Sequence, residues 1–133
     1  MLEIDKALSL IKEFKKVALV GMSAKTDRPS NRVGRFLMDK GFEVIPVNPG
    51  LKEIEGLKCR GSLADLTSNE IDWIDIFLNP NRLETLLPEI IRLSPKLVWC
   101  QIGVVNESFN QQLEKANIPY IANLCPKMEW QND

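Results

Sequence analysis

The chain has 133 residues, 44% hydrophobic and 26% charged, and at this length one compact domain buries roughly two-thirds of its unfolded surface without disulfide or metal staples. Seventeen basic against eighteen acidic side chains leave a net charge of -1, so no global field points to nucleic acid or to a membrane surface, and any anion site must be local. The absence of histidine excludes Ser-His-Asp and Cys-His catalysis, histidine-ligated zinc and phosphohistidine chemistry, while Cys59, Cys100 and Cys125, with no CxxC spacing, support neither a disulfide framework nor a zinc ribbon.

Glu3 and Asp5 stand where a secretory leader would be basic, and no apolar run approaches the ~18 residues of a membrane span, so a cytoplasmic protein is expected. Leu2, Ile4, Ala7, Leu8, Ile11 and Phe14 recur at helical spacing and predict an amphipathic helix within residues 1–15. The uninterrupted run VALVG (17–21) reads as a strand covered on both faces. A loop follows to about Ser30, and then Val33, Phe36 and Leu37 share a helical face that Gly41 ends.

EVIPV (43–47) predicts a second strand, stopped by the turn signal Asn48-Pro49-Gly50. Residues 57–59 predict a short third strand, with Ser62 capping a brief helix through Leu66. WIDIF (73–77) is the fourth, halted by Asn79-Pro80. Leu83, Leu86, Leu87, Ile90 and Ile91 have helical spacing, in which Pro88 either begins the regular helix or kinks it. LVWCQI (97–102) runs into Gly103, Asn106 caps a helix bearing Phe109, Leu113 and Ala116, and a last strand spans 120–122. Residues 124–133 read as a polar tail whose Trp130 covers the domain edge. Strand and helix alternation at this spacing predicts one α/β domain over 1–133: three-layered and Rossmann-like, with a mainly parallel sheet of about five strands ordered 3-2-1-4-5.

Such sheets bind ligands beyond the carboxyl ends of their strands. The first of these ends reads GMSAKTDRPSNRVG (21–34), a dinucleotide-like loop with Ser23 and Thr26 where GxGxxG requires glycine. Gly21 suits the tight turn, Ser23 offers a hydroxyl to a phosphate oxygen, and Gly34 permits close helix packing. Lys25, Arg28, Arg32 and Arg35 against Asp27 place a local excess of +3 in eleven residues. Arg28 and Arg32, nearest the helix start, are the phosphate candidates; Lys25 and Arg35 read as a solvated helix face. Where a nicotinamide reader places a carboxylate for the ribose hydroxyl, this chain has Asn48 and then Pro49, which disfavours NAD and leaves NADP and coenzyme A. Trp73 and Trp99 read as packing, Cys59 and Cys100 as small buried apolar groups, and Asp72 with Asp75 as carboxylates lacking a partner base.

The segment VALVGMSAKTDRPSNRVGRFLMDKGFEVIPVNP, followed by WIDIF, VWCQIGVVNE and NLCPKMEW, resembles the small stand-alone CoA-binding domain proteins over residues 16–129. These are similar to the CoA domain of succinyl-CoA synthetase alpha subunits and of NDP-forming acyl-CoA synthetases. The resemblance implies a Rossmann-type fold that holds coenzyme A or a short acyl-CoA, with no metal, no catalytic residue and room for a protein partner. By the same resemblance Gly21 and Ser23 meet the pyrophosphate, and Arg28 and Arg32 bring charge to it or to the 3′-phosphate. Asn48 and Pro49 border the ribose, Phe77 and Asn79 form the adenine wall, and Gln101 and Gly103 line the pantetheine path. Cys125 falls on the same sheet edge as that path: if the pantetheine arm ends there the CoA thiol approaches it, and otherwise Cys125 is a buried, inert cysteine closing the C-terminal strand. The synthetase subunits act through a phosphorylated histidine in a further domain, and this chain has neither. The alternative is an NADP-binding oxidoreductase or a CoA-transferring subunit that works with another polypeptide.

Overall fold

A computed structural model describes residues 1–132. Its strands are β1 (Lys16–Val20), β2 (Glu43–Val47), β3 (Glu53–Ile54), β4 (Leu57–Lys58), β5 (Trp73–Ile76), β6 (Leu97–Cys100) and β7 (Tyr120–Ile121). Its helices are α1 (Ile4–Glu13), α2 (Pro29–Asp39), α3 (Leu87–Leu93), α4 (Glu107–Lys115) and α5 (Pro126–Gln131). The strand runs read from the sequence, apart from residues 57–59, assemble into one five-stranded sheet in the order β2-β1-β5-β6-β7, parallel throughout. The VALVG strand lies inside the sheet.

Alternation along each strand splits the core in two. Val17, Leu19, Trp73, Trp99 and Ile121 pack under α1, α2 and α5, while Ala18, Val20, Ile74, Ile76 and Val98 pack under α3 and α4. Trp73 and Trp99 have no exposed surface, stand edge to face with centroids 6.2 Å apart, and serve packing as expected. Gly34 brings α2 down onto the sheet: a Cβ there would run into the Met22 side chain, with its sulfur at 2.9 Å.

The sheet order departs from expectation at one edge. Residues 57–59 do not form a third sheet strand; Glu55 (φ 51°) and Gly56 (φ 77°) fold the chain back so that β4 pairs antiparallel with β3. Neither hairpin arm joins the ladder: just beyond it Arg60 bridges Val47, its N–H donating to the Pro46 carbonyl and its carbonyl accepting from the Asn48 N–H, both at 2.9 Å, and β2 is the edge strand of the sheet. Pro88 lies in the first turn of α3 and begins the regular helix, after a 3-10 segment Pro80–Leu86. Asn106 caps α4, its Oδ1 accepting from the Phe109 N–H at 3.0 Å, and Ser62 caps the 3-10 turn Leu63–Asp65. The expected C-terminal tail is in fact α5. Its Trp130 sits edge-on to Phe36 and Phe42, with the Lys40 ammonium 5.5 Å from the ring centroid.

Candidate ligand-binding site

From β1 the chain moves to β2 on one side and returns to β5 on the other, so the crevice between β1 and β5 is where the winding reverses. Gly21 fills it. Its N–H donates to the Val47 carbonyl at 3.0 Å, the Phe77 N–H donates to the Val20 carbonyl at 2.9 Å, and with φ of 84° a Cβ on Gly21 would overlap the Phe77 carbonyl oxygen. Glycine is needed here for both its conformation and its lack of side chain.

The loop that follows is braced by buried polar groups of α2. The Ser23 N–H donates to Ser30 Oγ at 2.9 Å, and Asn31, with no exposed surface, donates its amide to the Ser23 carbonyl at 2.8 Å. Arg35 donates to Asn31 Oδ1 and to the Thr26 carbonyl, so it ties down the loop and is not merely a solvated face. Ser23 Oγ accepts from the Lys25 N–H, which leaves its hydroxyl proton free to donate outward. Ser30 and Asn31 went unrecognised in the sequence; two polar residues opening an otherwise apolar helix face after Pro29 were the available signal.

Asn48 closes the next turn. Its Nδ2 donates to the Met22 carbonyl at 3.1 Å and its Oδ1 accepts from the Gly50 N–H at 2.8 Å. A carboxylate at 48 would set charge against the Met22 carbonyl, which explains an amide where nicotinamide readers carry an acid.

Three adjoining lobes, which share lining residues, lie over these strand ends. The central one, about 430 Å³, is lined by Gly21, Ser23, Lys25, Arg28 and Phe77. Gly21 also lines a second, about 520 Å³, shared with Asn48, Pro49, Ser62, Leu78 and Arg82. Phe77 also lines a third, about 410 Å³, with Arg32, Gln101, Ile102, Cys125 and Met128. The structure thus brings Gly21, Ser23, Arg28, Arg32, Asn48, Pro49, Phe77 and Gln101 to one trough. Asn79 and Gly103 stand outside its walls: Asn79 Oδ1 accepts from the Asn81 N–H, and the Gly103 N–H donates to Asn123 Oδ1. Lys25, read from the sequence as a solvated helix face, and Ser62, read only as a cap, also line the trough, as does Arg82, which the sequence did not single out.

Under the third lobe, Gln101, 3% exposed, donates Nε2 to Asp75 Oδ1 at 2.6 Å. Asp75 is fully buried, its Oδ2 has no partner, and burial pushes its carboxyl up to about 7. Burial, together with the Asp75 charge, raises the Cys100 thiol to about 12, so that cysteine is inert as expected. Among the described residues no cluster of three or more metal-ligating side chains occurs, and no helix is long and apolar enough to cross a membrane.

A doubly wound parallel sheet, a glycine turn at its switch point and a cationic trough over the carboxyl ends define the Rossmann-like α/β class. Within it, the chain belongs to the CoA binding domain family, which matches residues 15–131. It is similar to the YneT protein of Bacillus subtilis (strain 168), 33% identical over 119 residues, spanning 90% of this chain and 87% of that protein. Among solved structures it is similar to cell-free ID.343 from Thermus thermophilus, with TM-score 0.92, 32% identity and 98% of each chain covered. It also resembles Prb, the PH1109 protein redesigned for binding, with TM-score 0.92, 30% identity, and 99% of this chain and 92% of that one covered. The dinucleotide forming acetyl-coenzyme A synthetase 1 of Ca. Korarchaeum cryptofilum shares the fold, with TM-score 0.68, 18% identity, and 80% of this chain against 25% of that one.

Proposed function

We propose that this chain binds coenzyme A or a short acyl-CoA in the three-lobed trough and holds it without transforming it, in a cytoplasmic setting consistent with its free cysteines. The observation that carries the reading is the row of adjoining recesses in a member of the CoA binding domain family: an Asn48–Pro49 recess and an apolar end flank a cationic centre, sharing Gly21 with it on one side and Phe77 on the other. In this reading the adenosine takes the recess beside β2, the pyrophosphate lies against Gly21, Ser23 and Arg28, and the pantetheine arm passes Phe77 toward Gln101. The Asp75 carboxyl beneath the trough is sealed beneath Gln101, which supports a holding role over acid–base chemistry.

A thermal-shift panel of CoA, acetyl-CoA, dephospho-CoA, NADP and NAD tests the reading. At one hundred times its dissociation constant a ligand adds about 2.7 kcal/mol, a shift on the order of 10 °C for a domain of this size. CoA and acetyl-CoA are expected to give it and NAD to give none. Stabilisation by NADP or NAD with no response to CoA would overturn the assignment. Arg28→Ala is expected to weaken CoA by roughly 1.5–3 kcal/mol, the loss of a charge-assisted contact.

The direction of the arm has its own readout. With CoA disulfide as probe, Cys125 sulfur displaces one CoA thiolate and forms a Cys125–S–S–CoA bond, an exchange that needs no other oxidant. Intact-mass analysis is expected to show the adduct on the wild type, its suppression by excess acetyl-CoA, and its loss in Cys125→Ser. An adduct on Cys59 instead, or none on either, would reverse or displace the arm.

A further inference from the structure

We infer that Arg82 is the residue that separates CoA from its 3′-dephospho form, by receiving the ribose phosphate monoester in the lobe beside β2. The inference rests on the CoA reading above. In switch-point folds the ribose lies at the carboxyl end of the second strand, here Asn48 and Pro49. The Asn48 amide is held by Met22 and Gly50, one Nδ2 N–H donating to the former and Oδ1 accepting from the latter, so the strand end offers a phosphate at most one neutral N–H and no charge. The cations named from the sequence lie elsewhere: Arg28 lines the central lobe and Arg32 the lobe of Cys125. Arg82 is the cation that lines the ribose lobe, and no carboxylate lines it among the described residues.

The state of the Arg82 side chain supports the same role. Arg60 is held by Glu70 at 2.6 Å, Arg92 by Glu89 and two carbonyls, and Arg35 by Asn31 and Thr26. The guanidinium of Arg82 has no such partner among the described residues and is solvent-exposed. Its backbone is nevertheless firm: the Arg82 N–H donates to the Asn79 carbonyl at 2.9 Å, and the neighbouring Leu83 has no exposed surface. A free guanidinium fork on a fixed base suits a dianionic phosphate monoester, which presents oxygens for paired N–H donors. Ser62, on the lobe's wall, accepts from the Ala64 N–H and keeps its hydroxyl proton to donate.

Calorimetric titration of CoA and dephospho-CoA into wild type, Arg82→Gln, Arg82→Lys, Arg28→Gln and Arg32→Gln tests the assignment. Wild type is expected to prefer CoA. In Arg82→Gln the CoA affinity falls about ten- to hundredfold while dephospho-CoA is unchanged, so the preference vanishes; Arg82→Lys keeps part of it. Arg28→Gln weakens both ligands alike and Arg32→Gln leaves the ratio intact. A preference that survives in Arg82→Gln, or one that collapses in Arg28→Gln or Arg32→Gln, overturns the inference. Equal binding of the two ligands by the wild type overturns it while leaving CoA binding in place; no binding of either defeats the CoA reading itself. Urea midpoints keep the comparison sound, since an exposed side chain without partners should not shift them.

Discussion

Gly21→Ala is expected to lose roughly 2–5 kcal/mol of stability and, with it, the ligand response, where Gly41→Ala loses only about 1–2 kcal/mol. The two positions share a left-handed backbone, with φ of 84° and 94°, so both substitutions carry the conformational penalty of a side chain there. They differ in surroundings. A Cβ at 41 meets nothing within 4 Å, whereas at 21 it overlaps the Phe77 carbonyl oxygen, a backbone atom fixed by the β1–β5 ladder. Relief requires those two strand ends to part, which opens the crevice at the centre of the trough. Urea unfolding with an unchanged slope, beside a CoA titration of each variant, measures this. Equal losses for the two variants would show that backbone conformation alone, not the close approach, demands glycine at 21.

Stability is expected to fall as pH rises from about 4 to 7, by roughly 1.4 kcal/mol per unit, because of Asp75. Burial lifts its carboxyl from an ordinary 3.8 to about 7 in the folded protein. Across that window the unfolded chain has released the proton and the folded chain still holds it, so raising the pH favours unfolding; above 7 both states are ionised and the slope disappears. Glu70 acts at the other end. The Arg60 guanidinium holds it down to about 2, and Asp72, which burial alone would raise, is held below its ordinary range by the Lys15 and Lys16 N–H groups and by Lys96. Their contributions are present above the ordinary carboxylate range and fade as pH drops below it, which places the stability maximum on the acid side of neutral. Asp75→Asn keeps an acceptor for Gln101 Nε2 and removes the charge. It is expected to flatten the profile and to exceed the wild type at pH 8 by roughly 1–3 kcal/mol. Urea denaturation at pH 5 and pH 8 decides it: a wild type whose stability holds steady or climbs between them would mean that Asp75 ionises without cost.

Much of the sheet was legible because a parallel strand buried on both faces writes itself as an unbroken apolar run. VALVG and LVWC are such runs, WIDIF is one interrupted only by Asp75, and their ends marked Gly21, Phe77 and Gln101 as residues of the trough. Asn48 was legible as the end of β2, but its task was not. That it ties Met22 to Gly50 depends on which carbonyl lies opposite, a matter of β1–β2 register. The hairpin at 53–58 escaped because its turn is Glu55-Gly56, without the Asn-Gly or Asp-Gly signature, and each arm is only two residues long, too short for alternation to show. Helix α5 escaped for a related reason, since six residues span under two turns and cannot display a period.

The sequence by itself determined the fold class, the central place of β1 and a basic loop at its end, since these follow from local patterns of apolar and charged residues. Which cation lines which lobe was decided by the tertiary structure alone. Arg28 and Arg32 are four residues apart yet line different lobes, Arg28 standing in extended conformation before α2 and Arg32 inside it, while Arg82 comes to the Asn48 lobe from the segment after β5. The Asp75–Gln101 pair has the same origin. The two residues are far apart in sequence and meet because β5 and β6 run parallel in a register that sets Ile76 beside Cys100, and burial in that shared core then gives the carboxyl its raised pKa.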